Sequence, residues 1–156
     1  MRSLDLPVGS ILVFPDQVPD SVYILRMGYM GIFDRMDRLL AYIKRDEIFG
    51  LEALLSRKSS VGFRAISNVE LDLYEPEEFK EELDLEKKEF VLRNLSRWAY
   101  LIKRRYPLSA ELRLREIIRD MVDEGVPSEV IRSLPLSLSV GDSIAFERVI
   151  EEFQID

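Results

Sequence analysis

A chain of 156 residues has room for one domain or two small ones, and with 47% hydrophobic residues it can bury a packed core. It contains no cysteine and no histidine. That excludes disulfides, zinc–thiolate centres, iron–sulfur clusters, Ser–His triads and imidazole ligation, so no metal site, no cofactor and no enzyme is expected. The net charge of −7 is unevenly spread: ten Lys/Arg against sixteen Asp/Glu over 1–84, ten against four over 85–119, and two against nine over 120–156. Only the middle block could attract a polyanion, and the acidic flanks oppose it.

From Val8 to Leu73 the texture is that of β-structure. The runs SILVF, SVYIL, YMGIF, LLAYI, VGFRAI and VELDLY are short and rich in β-branched and aromatic residues. PDQVPD, RMG, DRMD and SN separate them as turns. Five or six such strands predict a sandwich or β-roll rather than a parallel sheet. A short helix over about 51–56 interrupts them after Gly50. Pro76, with Glu residues beside it, suits a helix start.

A long helix is predicted from about Leu85 to Tyr106, stopped by Pro107. On it Val91, Leu95, Trp98 and Ile102 are spaced four, three and four, the spacing of a dimer seam; the alternative is a stripe packed on the chain's own β-domain. Next comes a helix capped by Ser109 and closed by Gly125, then a short one over 127–134 and a last one over 139–153. Ser139 and Asp142 have capping-box-like spacing. KRRY, at 103–106, is read either as a DNA-backbone contact or as a cationic helix end favoured by the dipole. No apolar run reaches the ~18–20 residues of a membrane-crossing helix and no signal-peptide core is present, so a cytoplasmic protein without membrane contact is expected.

The order of these pieces resembles the cyclic AMP receptor protein family of transcriptional regulators. A turn glycine, Gly9, precedes SILVF. PDSVYILRMGYMGIF has the form of strand, glycine turn and strand, and YIKRDEIFGLEALL that of strand, turn, glycine and short helix. VGFRAISNVELDLYEPEEF then closes the roll. The likeness covers roughly 6–82, and 85–106 resembles the family's dimerisation helix. It implies an α+β fold: an antiparallel β-roll (a double-stranded β-helix, jelly-roll-like) over 1–84, a connecting and dimerisation helix over 85–106, and over 107–156 a helical region like a truncated helix-turn-helix without a wing. A homodimer is the implied assembly, with DNA and a small anionic ligand as possible partners.

The family's phosphate cassette reads approximately F-G-E-x-A-L, followed by R-[ST]-A. Its glycine and short helix offer backbone N–H groups to the cyclic phosphate, its Glu binds the ribose and its Arg neutralises the phosphate. Phe49, Gly50, Ala53 and Leu54 match and Ser60 stands at the Ser/Thr position, whereas Leu51 stands in place of the Glu, with Glu52 displaced by one, and Ser59 in place of the Arg, with Arg57 two residues before it. An α-helical step of about 100° turns Glu52 away from the ligand. With two charge-assisted bonds absent, cyclic AMP affinity is expected to fall about 10²–10⁴-fold. The resemblance thus implies a regulator or sensor that does not bind cyclic AMP in the usual way. The alternative is a protein-interaction or scaffold module with neither ligand nor DNA. Residues 127–134 and 139–153 have the spacing of a helix-turn-helix pair, but Asp142, Glu147, Glu151 and Glu152 would meet DNA phosphates with like charge.

Overall fold

In the computed structural model, which describes residues 1–155, eight antiparallel strands form two four-stranded sheets and helices follow. The first sheet orders β1 (Arg2–Leu6), β8 (Val69–Tyr74), β3 (Val22–Met27) and β6 (Ile48–Phe49). The second orders β2 (Ile11–Val13), β7 (Gly62–Ala65), β4 (Met30–Phe33) and β5 (Leu39–Ile43). This is the β-roll expected from the turn spacing. The β3–β4 turn depends on Gly28, at φ 85°, where a Cβ would lie 2.1 Å from the Asn68 carbonyl oxygen.

Two strands escape periodicity. β1 pairs with β8 from Arg2↔Leu73 to Leu6↔Val69, although RSLDL alternates only weakly. β6 is two residues long and is defined by its pairing of Phe49 with Tyr23. Both depend on a partner strand rather than on their own pattern.

The helices are α1 (Pro76–Glu82), α2 (Leu85–Arg105), α3 (Ala110–Asp123), α4 (Ser128–Arg132) and α5 (Val140–Val149). Asp84, Ser109 and Ser139 cap α2, α3 and α5 by accepting from the N–H groups of Lys87, Leu112 and Asp142. The helix expected over 127–134 is shorter: α4 ends at Arg132, and a 3₁₀ turn holds Leu134–Leu136, where Pro135 cannot extend the α-helical ladder. The helix expected over 139–153 likewise divides into α5 and a 3₁₀ turn at Ile150–Phe153.

One apolar cluster fills the roll, including Leu25, Ile32, Phe49, Phe63 and Leu71. Another joins Phe33, Leu39, Tyr42 and Ile66 of the roll to Leu114, Ile117, Ile118 and Met121 of α3 and Phe146 of α5. The C-terminal helices are therefore packed on the β5 side of the roll.

Buried ion pairs fasten that packing. Arg113 and Asp142 are 1% and 2% exposed. Arg113 donates to Asp142 Oδ1 at 2.8 Å and Oδ2 at 2.9 Å, and to the Leu39 carbonyl at 2.9 Å. Asp142 Oδ2 also accepts from the Leu39 N–H at 3.0 Å. The expectation that Asp142 would face DNA phosphates is thus corrected: its charge is neutralised inside the protein. The two arginines of KRRY are consumed in the same way. Arg105 is buried and donates to the Leu40 carbonyl, Glu116 and Asp120, and Arg104 donates to Glu116. With Arg97 on Glu47 and Arg115 on Glu152, five arginines of the basic block, counting Arg113, have intramolecular partners.

The pairs set a pH dependence. Burial pushes the Glu116 and Glu124 carboxyls up, but Arg104 and Arg105 outweigh it at Glu116, as do Lys44 and the Tyr42 hydroxyl at Glu124, so both sit below the ordinary value. A depressed carboxyl stabilises above its unfolded pKa and loses that contribution as pH falls through its folded one. Urea midpoints are expected to hold steady from pH 7 to about 5 and to fall below about 4.3, the ordinary Glu value. A midpoint unchanged down to pH 3 would show that the pairs contribute nothing.

Candidate functional site

The candidate site lies where the chain leaves β6. Gly50 takes the left-handed conformation (φ 78°), and a 3₁₀ turn runs over Leu51–Leu55. A Cβ on Gly50 would lie 2.8 Å from the Tyr23 ring and 2.9 Å from the Ser21 carbonyl oxygen. Gly50→Ala is therefore expected to lower stability by about 1–3 kcal/mol, measurable by urea unfolding. An unchanged midpoint would mean that the turn adapts.

Between this turn, the Ser60–Val61 loop and α2 lies a half-open cleft of about 160 Å³. Phe49, Phe63 and Ile32 form its floor, and Leu95, Trp98, Ala99 and Ile102 of α2 form the facing wall. None of the twelve residues lining it is basic.

Gly50, Leu51, Glu52 and Ser60 all line this cleft. Glu52, expected to turn away, lines the cleft beside Leu51 on the 3₁₀ turn. Glu52 Oε2 is buried without a hydrogen-bond partner. Burial pushes its carboxyl up. Arg57 is exposed and Ser59 is buried, and neither lines the cleft. The Ser59 hydroxyl donates to the Val61 carbonyl at 2.7 Å, so it closes the loop.

Trp98 went unassigned to the cleft in the sequence, because its spacing on α2 fits a seam as well as a wall. It is 5% exposed, packs on the roll core, and its Nε1 has no partner. Of the other seam positions, Ile102 packs on the same core, Val91 packs beside Phe79, and Leu95 remains 40% exposed. On the open side of α2, Leu85, Leu92, Ala99 and Tyr106 recur every seven residues, all exposed.

No family model matches the chain, and no curated protein matches it. Solved structures do. A CRP-family transcriptional regulator from Thermus thermophilus superposes with a TM-score of 0.62 at 16% identity, over 97% of this chain and 84% of the other. This chain has the cyclic-nucleotide-binding fold of the CRP-like regulators. A transcriptional regulator from Thermotoga maritima matches with a TM-score of 0.54 at 19% identity, over 66% of this chain and 86% of that one. A cyclic AMP-bound protein kinase A regulatory fragment matches with a TM-score of 0.56 at 17% identity, over 66% of this chain but only 36% of its own. At these identities the likeness establishes the CRP-like fold and no activity. No helix among the described residues is long and apolar enough to cross a membrane.

Proposed function

We propose that this CRP-like chain is a regulatory sensor, homodimeric through α2, whose cleft does not take cyclic AMP. The observation that carries the reading is the cleft itself. It sits between the Gly50 turn and α2, has Leu51, Glu52 and Ser60 on its rim, and has no cation to neutralise a phosphate. Leu85, Leu92, Leu95, Ala99, Ile102 and Tyr106 are spaced seven, three, four, three and four, which supports a two-helix seam that would run past the cleft. Ligand binding at a wall made of α2 would then bear directly on the dimer.

The packing of α5 favours a second reading, a protein-interaction module without DNA. The N-terminal turn of α5, which would have to enter a major groove, is tied by Asp142 to Arg113 and to β5. Light scattering at tens of micromolar is expected to give a dimer, and calorimetry with cyclic AMP no tight binding. A monomer or a micromolar cyclic AMP isotherm would overturn the sensor reading as stated. Retention on DNA at 50 mM salt, falling steeply as salt rises, would decide for a DNA-binding regulator; no retention would decide for the interaction module.

A further inference from the structure

α5 is apolar on two opposite sides. Ala145, Phe146 and Val149 face the core, with Asp142 among them, and all four are buried. Successive α-helical residues turn by about 100°, so Val140, Ile144 and Glu147 fall within about 60° of one another, opposite that buried side. Val140 is 77% exposed, the most of any large apolar side chain among the described residues, and Ile144 is 51% exposed. A helix that is apolar all round is ordinarily covered all round. The C-terminal half of α5 carries acid instead: Glu147 is exposed, and Glu151 follows, also exposed, in the 3₁₀ turn. Neither has an ion-pair partner among the described residues, Arg148, Arg115 and Arg113 being taken by Glu111, Glu152 and Asp142.

We propose that the outer face of α5 docks a cationic amphipathic helix of another protein, with apolar residues on Val140 and Ile144 and Lys or Arg residues on Glu147 and Glu151. The proposal rests on the interaction-module reading and names the partner's chemistry. Charge decides the class. Residues 120–156 hold nine Asp/Glu against two Lys/Arg, so this end of the molecule repels nucleic-acid phosphates and anionic lipid headgroups and attracts cations. A helix is the form that matches an apolar pair four residues apart followed by an acidic pair four residues apart, because its own i, i+4 neighbours repeat that stripe. Apolar burial supplies the attraction, and the two carboxylates select the partner and its direction.

The full chain is titrated at pH 7 against a fluorescein-labelled helical peptide of leucine and lysine, with leucine on one face, and against the same peptide with glutamate for every lysine; anisotropy reads the binding. The lysine peptide is expected to bind with half-saturation on the order of 10 µM, weak because the interface is small, and the glutamate peptide not to bind. Val140→Ser with Ile144→Ser is expected to weaken binding about tenfold or more, the worth of at least one apolar side chain. The urea midpoint of that variant is expected to hold, because both side chains already face water. Glu147→Lys with Glu151→Lys is expected to reverse the preference to the glutamate peptide. Glu77→Lys with Glu81→Lys makes the same change at the same spacing on α1, which packs in a different apolar cluster, and is expected to keep binding within about threefold. An equal loss from the α1 change means attraction by net charge alone and overturns the proposal, as does full binding by the Val140→Ser, Ile144→Ser variant. A drop in that variant's mass by light scattering makes a second copy the occupant and overturns it too. Silence of the lysine peptide, in a chain that also ignores DNA, overturns only the partner class; retention on DNA at 50 mM salt overturns the interaction-module reading with it.

Discussion

Asp142→Ala is expected to destabilise the protein by about 3–5 kcal/mol, because it leaves a guanidinium buried without its counter-ion. Arg113 would keep one bond to the Leu39 carbonyl, lose two to the carboxylate, and remain 1% exposed. The Leu39 N–H would lose its acceptor as well. Urea unfolding followed by circular dichroism measures the loss, and hydrogen exchange should place the earliest opening in α5, whose N-terminal turn the pair holds against β5. Replacing both partners, as Arg113→Met with Asp142→Leu, is expected to recover much of the loss, since the cost lies in the stranded charge more than in the missing attraction. A single substitution costing less than about 1 kcal/mol would show that the α5 end is not fastened in this way.

Trp98→Ala is expected to cost about 3–5 kcal/mol, the range for removing a buried large aromatic side chain. The residue packs on the roll core and holds the middle of α2 to it. Trp98→Phe is the informative companion. The indole Nε1 has no partner, so removing it strands nothing and even relieves an unsatisfied donor. The Phe variant leaves a much smaller void than Ala and is expected to cost about 1–2 kcal/mol, well short of the Ala loss. Should Phe cost as much as Ala, the indole N–H must have a partner that the free chain's packing does not reveal.

The acidic C-terminal block and the basic middle block invite a reading as separate electrostatic surfaces. The fold instead sets them against each other: Arg105 meets Asp120, Arg113 meets Asp142 and Arg115 meets Glu152. A net charge counted along the chain therefore overstates the cationic face available to DNA. Among the KRR residues, only Lys103 has no ion-pair partner among the described residues.

Local chemistry sufficed for a good part of this protein. Alternating β-branched and aromatic runs punctuated by Gly, Pro and Asp made the roll readable, because strand and turn preferences act within a few residues. Ser109, Ser139, Gly50 and Pro107 marked helix ends and the cassette turn for the same reason, since a cap or a left-handed turn is satisfied by its immediate neighbours. β1 and β6 were invisible because their existence depends on β8 and β3, which lie far along the chain. That Glu52 lines the cleft and that Trp98 stands on its wall both depended on where the roll meets α2. Asp142 illustrates the limit best. As a letter it is an acidic residue near a helix start, and only the approach of Arg113 and the Leu39 N–H makes it a buried counter-ion. Long-range burial decides which charges meet water, and no local pattern encodes that.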